Sequence, residues 1–202
     1  MIKLEKKLAD FKQSDFDLIS VYLHAGKVLI LPTDTIYGLS CLATDSEAIE
    51  KIFRLKKREP HKPLITLVSS LAMVKRYAYL SKSESEILNK LWSQDVAPTT
   101  VILRAKTKNN LPREIISDSG GISCRLPKSD FLIKIIKRAN VPIISTSLNL
   151  SGHSPLIAVG ELDYVFSGKN KPDLIVNIGQ AKKKKPSRLV DLRGGDLKII
   201  RK

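Results

Sequence analysis

The chain has 202 residues, 43% of them hydrophobic, with 35 lysines and arginines against 20 acidic residues for a net charge of +15. That length and apolar content suffice for one substantial core, and no apolar run approaches the roughly 20 residues that a membrane-spanning helix needs. The two cysteines, Cys41 and Cys124, stand in no paired spacing, which argues against a disulfide framework or a cysteine metal site.

The N-terminus, Met1-Ile2-Lys3-Leu4-Glu5-Lys6-Lys7, is followed by no long apolar segment, so it does not read as a signal peptide and a cytoplasmic protein is expected. Charge is unevenly placed: residues 1–101 carry 15 basic and 12 acidic side chains, residues 102–202 carry 20 and 8. Such a basic half fits either a lysine-rich solvated surface or an anionic partner, such as nucleic acid or a polyphosphate.

Taken in order, residues 14–26 are predicted as a first helix, with Ser14 and Asp17 as its capping pair and Phe16, Ile19 and Leu23 on one face. Residues 28–31 form a buried strand. It runs into Pro32-Thr33-Asp34-Thr35-Ile36-Tyr37-Gly38-Leu39-Ser40, and a second helix is expected from Thr44, with Thr44 and Glu47 as capping box. That helix ends before Pro60, which disfavours helix at Glu59. Residues 64–68 are a strand, and short helices follow at 70–79 and 83–92, the latter with Ser83 and Glu86 as its box. Strands are expected at 99–103, 121–126, 141–146, 174–178, 189–192 and 197–200, and a helix at 130–138. This mixture predicts an α/β (α+β-like) single domain, residues 1–202, with a twisted central mixed sheet flanked by helices.

Three clusters carry chemistry. The first is the hydroxyl-rich stretch after the 28–31 strand, where Thr33, Thr35 and Tyr37 are candidate ligands; by itself it is equally a polar turn. The second is Lys56-Lys57-Arg58-Glu59-Pro60-His61-Lys62. Arginine suits bidentate phosphate contact and lysine a movable point charge, so Lys56, Arg58 and Lys62 could clamp a triphosphate, or they could simply complement a helix C-terminus. Lys56 and Arg58 are expected to be surface-accessible cations whose replacement by alanine leaves the fold intact. The third cluster is Ser145-Thr146-Ser147-Leu148-Asn149-Leu150-Ser151-Gly152, whose small polar side chains suit a loop that binds oxyanions. No Gly-x-x-x-x-Gly-Lys-Ser/Thr spacing exists, so it is not a P-loop.

Together these stretches resemble the YrdC-like family, whose single-domain members are threonylcarbamoyl-AMP synthases. The family's Lys-x-Arg and Ser-x-Asn signature falls on Lys56, Arg58, Ser147 and Asn149; further matches are Arg125-Leu126-Pro127, Pro186-Ser187 and Ile199-Ile200-Arg201. The resemblance implies a YrdC-like fold with a basic concave cavity and a nucleotidyltransferase that joins L-threonine, bicarbonate and ATP into threonylcarbamoyl-AMP and pyrophosphate. That product serves the N6-threonylcarbamoyladenosine modification of tRNA. It also implies that Thr35, Arg125, Ser145 and Ser187 hold threonine, with Thr33 and Tyr37 in support. Lys56, Arg58, Lys62, Ser147, Asn149 and Arg201 would hold ATP, with Lys56 and Arg58 acting in catalysis and Mg2+ carried on the triphosphate. A downstream threonylcarbamoyl-transferase complex is the implied partner.

The chain departs from the family pattern at Leu148, where many relatives have alanine, at Arg188, where threonine is expected, and at Leu67, where longer relatives often place histidine. The run Lys182–Lys185 matches no family motif and is either a solvated loop or a tRNA contact. A non-catalytic double-stranded RNA or tRNA binding module is the alternative from another class, and a hydrogenase-maturation relative is a third.

Overall fold

The computed structural model describes residues 2–59, 64–156, 160, 166, 171–180 and 186–202. Lys62 and the Lys182–Lys185 run lie outside the described residues. Ten strands are described: β1 (Ile2–Glu5), β2 (Leu29–Pro32), β3 (Tyr37–Leu42), β4 (Ile65–Leu67), β5 (Thr99–Arg104), β6 (Gly121–Arg125), β7 (Ile143–Ser147), β8 (Leu174–Asn177), β9 (Arg188–Asp191) and β10 (Lys198–Arg201). They form one mixed sheet in the order β1-β8-β2-β3-β7-β4-β6-β5-β9-β10. Five helices accompany it: α1 (Gln13–His24), α2 (Ser46–Lys56), α3 (Leu71–Tyr77), α4 (Lys82–Leu91) and α5 (Asp130–Ala139).

The helices stand where apolar spacing puts them, but three begin on other caps than the expected ones. At α1 the Lys12 backbone N–H donates to Asp15 Oδ2 at 2.8 Å, in place of a Ser14–Asp17 pair. At α2 the cap is Asp45, whose carboxylate accepts from Ala48 N at 2.9 Å, rather than Thr44. At α4 the box is Ser81 with Glu84, at 3.1 and 2.7 Å, two residues before Ser83 and Glu86. Each region offers another side chain able to accept from the first-turn backbone within two residues of the expected cap, with a reciprocal i, i+3 pair at α4 and a single carboxylate at α1 and α2. Helix α2 stops at Lys57, which adopts a left-handed conformation at φ 48°, and α5 stops likewise at Asn140, φ 53°.

Two strands were not expected. Strand β1 pairs in parallel with β8 at one edge of the sheet. Strand β3 occupies residues that read as a loop leading to α2. It is buried along its whole length and pairs with β2 as an antiparallel hairpin, Pro32 opposite Tyr37. Thr33 makes the reversal possible: its hydroxyl accepts from the backbone N–H of Thr35 and of Ile36, both at 3.1 Å, and donates to the Ile36 carbonyl. This is a side chain closing its own turn.

The core is continuous. Phe16, Ile19 and Leu23 of α1, Ile49 and Ile52 of α2, and Leu132, Ile135 and Ile136 of α5 are buried with the strands. Helix α1 packs on α5 and on β3, and α2 on β3.

Candidate functional site

Strand register decides which side chains share a face, because directly opposed residues point the same way. Ser40 on β3 opposes Ser145 on β7, and Ser145 opposes Ile65 on β4. Ser147 opposes Gly38. On β6, Ser123 opposes Ile102 of β5. Arg125 and Thr100, each two residues along from those positions, therefore lie on that face too. One face of the central sheet thus carries Ser40, Ser123, Ser145, Ser147, Thr100 and Arg125 between apolar neighbours. The hydroxyls of Ser40 and Ser145 are 3.3 Å apart. Glycine at position 38 leaves room for Ser145, since a Cβ there would stand 2.3 Å from Ser145 Oγ and the hydroxyl would have to turn away.

Arg125 is the dominant charge of this face. It is 5% exposed, and burial pulls its pKa below the ordinary arginine value while the neighbouring Asp34 opposes that shift. Its Nη2 lies 3.3 Å from Asp34 Oδ1, and its buried Nε has no hydrogen-bond partner among the described residues. Asp34, which sequence reasoning left without a role, comes from the turn between β2 and β3. Its other oxygen accepts the backbone N–H of Lys128 at 3.1 Å. Asp34 and Thr33 also line a cavity of about 490 Å³ together with Phe16, Lys128, Phe131 and Lys134.

Lys56 is not a surface cation. It is 1% exposed, and its ammonium donates to three oxygens of the loop that follows β7: the Ser147 carbonyl, the Asn149 carbonyl at 2.9 Å and Asn149 Oδ1 at 2.6 Å. The expectation of surface accessibility fails because the last turn of α2 docks on this loop, whose Ser151 N–H also bonds the Lys56 carbonyl at 2.8 Å. Burial first, and the nearby Arg58 second, lower the Lys56 pKa to about 7. Ser147 Oγ donates to Asn149 Oδ1 at 2.7 Å, so the signature residues Lys56, Ser147 and Asn149 form one network.

Arg58 leaves α2 in the other direction. It is half-buried and lines a second cavity, about 630 Å³, with Phe53, Lys57 and Glu114; burial lowers its pKa. Tyr37 is fully buried, and its hydroxyl ties β3 to the end of β8 by donating to the Gly179 carbonyl at 2.7 Å and accepting from Ile178 N at 2.9 Å. Thr35 is half-buried with its hydroxyl 3.0 Å from that of Thr33. Ser187 is buried and shares a hydrogen bond of 2.8 Å with Thr100, next to Arg125 in the sheet. Arg201 reaches the Ser187 carbonyl through Nε and Nη2 at 3.2 and 2.8 Å. Burial holds the thiols of Cys41 and Cys124 protonated, the latter with a pKa pushed up to about 12.

Sequence reasoning missed Ser40, Thr100, Ser123 and Asp34. The first three carried a signal, a small hydroxyl residue set in an otherwise largely apolar strand. Asp34 carried one in being the only carboxylate of its stretch.

Among known proteins, the family model Sua5/YciO/YrdC, described as telomere recombination, matches residues 21–202. A Methanocaldococcus jannaschii protein provisionally named threonylcarbamoyl-AMP synthase is 30% identical over 200 residues, covering 99% of this chain and 90% of that protein. P. abyssi Sua5 solved with L-threonine is 25% identical, with a TM-score of 0.80 over 95% of this chain and 54% of that one. E. coli YciO shares the fold at 20% identity, with a TM-score of 0.81 over 100% of this chain and 94% of that one. The chain therefore spans about half the length of the P. abyssi protein and nearly all of the other two.

Proposed function

The chain belongs to the Sua5/YciO/YrdC family, and from that premise we propose that it is a threonylcarbamoyl-AMP synthase. The amine of L-threonine takes up bicarbonate with loss of water to give a carbamate. A carbamate oxygen then attacks the α-phosphorus of ATP, the bond to the β-phosphate oxygen breaks, and pyrophosphate leaves. Such a reaction asks for positioning and charge neutralisation more than for a protein nucleophile.

The observation that carries the reading is Arg125, a buried guanidinium whose Nε lacks a hydrogen-bond partner among the described residues, on a face otherwise furnished with small hydroxyls. A buried guanidinium with a donor left over beside its Asp34 partner suits a carboxylate, since a charge-assisted hydrogen bond in a dry site is among the stronger ones available. Arg125 therefore takes the threonine carboxylate, with Thr35, Ser145 and Ser187 around the amino acid. Arg58, Ser147, Asn149 and Arg201 take ATP and its phosphates, Lys62 being a further candidate. Lys56 acts there by holding Asn149 rather than by touching phosphate.

Magnesium brought in with ATP would supply charge neutralisation for the leaving pyrophosphate; among the described residues no group of three or more His, Cys, Asp or Glu is placed to hold a metal ion. The product passes to a threonylcarbamoyl-transferase complex that modifies tRNA, in the cytoplasm. A bare RNA-binding module has no use for a buried guanidinium that keeps a donor in reserve beside its Asp34 partner. The test is pyrophosphate release from ATP by the purified protein with threonine and bicarbonate supplied or withheld; release that ignores threonine rejects the proposal.

A further inference from the structure

We propose that Asp34 is a positioning residue for the reaction, fixing the orientation in which the Arg125 guanidinium is offered to substrate. This rests on the synthase reading, and it adds a residue that no part of that reading assigns.

The side chains of Asp34 and Arg125 are 2% and 6% exposed, and 3.3 Å separates Oδ1 from Nη2. A guanidinium is a planar fork whose donors point along fixed directions, so an anion held against one nitrogen fixes where the others point. Asp34 Oδ1 stands 3.3 Å from Nη2, and the adjacent Nε is a buried donor with no hydrogen-bond partner among the described residues. A substrate carboxylate thus meets a guanidinium already turned toward it, without the loss of rotamer freedom that a mobile arginine would suffer on binding.

Two further contacts make the carboxylate a fixed post rather than a chance neighbour. The Lys128 backbone N–H holds Oδ2 at 3.1 Å, and the Lys128 ammonium is tied to the Ser93 and Gln94 carbonyls at 2.7 Å each, and to that of Val96. On the other side, the turn that presents Asp34 is closed by the Thr33 hydroxyl. Asp34 is therefore clamped between a self-closing turn and the strap between β6 and α5, and Arg125 inherits that rigidity. Asp34 also offsets the positive charge of Arg125 in the dry sheet face, where an isolated cation is costly.

The test compares Asp34→Asn, which keeps shape and acceptor but removes charge, with Asp34→Glu, which keeps the charge. In the ligand-free protein the Arg125 Nε–Hε NMR resonance is identified by its loss in Arg125→Lys. It should broaden and exchange faster in Asp34→Asn and stay closer to wild type in Asp34→Glu. In the pyrophosphate assay the threonine KM should rise at least tenfold in Asp34→Asn with the ATP KM within about twofold, and Asp34→Glu should recover part of the loss. An Arg125 resonance unchanged in Asp34→Asn, or equal rises in both KM values, overturns the proposal. If wild-type protein releases no pyrophosphate in response to threonine, the synthase reading fails by itself, and the resonance still decides whether Asp34 holds Arg125.

Discussion

Replacing Lys56 by methionine removes the ammonium while keeping most of the stem that packs in the last turn of α2. Three oxygens lose their donor: the carbonyls of Ser147 and Asn149, and Asn149 Oδ1. Hydrogen bonds from a charged donor are worth about 1.5–3 kcal/mol each, so roughly 5–9 kcal/mol of gross interaction is lost. Against this, the variant no longer buries a cation, which returns several kcal/mol. The balance is a destabilisation of about 2–4 kcal/mol, a large share of the roughly 5–15 kcal/mol that holds a domain folded. Urea denaturation at about pH 6, below the Lys56 pKa of about 7 and so with the ammonium charged, reads the loss. The same variant should show a raised ATP KM, because Asn149 and Ser147 depend on the ammonium for their placement. The reasoning is refuted by a variant that unfolds at the wild-type midpoint yet releases no pyrophosphate, for then the ammonium acts on substrate directly.

The same lysine predicts a pH dependence. Its ordinary pKa is 10.5 and its folded value about 7, so between these the unfolded chain binds more protons and folding is favoured as pH rises. Wild type should gain stability relative to Lys56→Met from pH 7 to 10.5, by up to about 1.4 kcal/mol per pH unit; a flat difference across that window rejects the assignment. Gly38→Ala puts a Cβ 2.3 Å from Ser145 Oγ. Because that oxygen can rotate away, we expect about 1 kcal/mol or less of lost stability but a severalfold rise in threonine KM, and an unchanged KM would remove Ser145 from the site. Tyr37→Phe loses both bonds at the β3–β8 junction, so thermal denaturation should show a loss of about 1–3 kcal/mol; no loss would return the hydroxyl to the role of substrate ligand.

Much of this molecule was legible beforehand. The apolar stripes of α1, α2 and α5 and the short apolar runs of the later strands put those elements in place, and the signature residues picked out the loop after β7. What stayed hidden depends on contacts distant in sequence. Strand β3 reads as a loop because Gly38 and Ser40 interrupt it, and their reason for being small, Ser145, lies on β7. Lys56 reads as exposed because charge predicts exposure; its burial follows from three acceptors about 91–93 residues away. Asp34 reads as a turn residue, and its partner Arg125 sits four strands over in the sheet. Cap positions shifted by one or two residues because neighbouring side chains compete for the same backbone donors.

The strand order has a consequence for how the protein is made. Strands from the first half of the chain sit beside strands from the second: β2 beside β8, β3 beside β7, β5 beside β9. During synthesis, neither half can bury its strands alone, and Gly38 and Ser40 wait for about a hundred further residues before Ser145 arrives to cover them. Pairings of such long range close slowly, so the emerging N-terminal half has the β2–β3 hairpin but leaves apolar strand edges open, in need of protection from aggregation. The face that carries Arg125 is complete only once β9 has docked beside β5 and Ser187 has met Thr100.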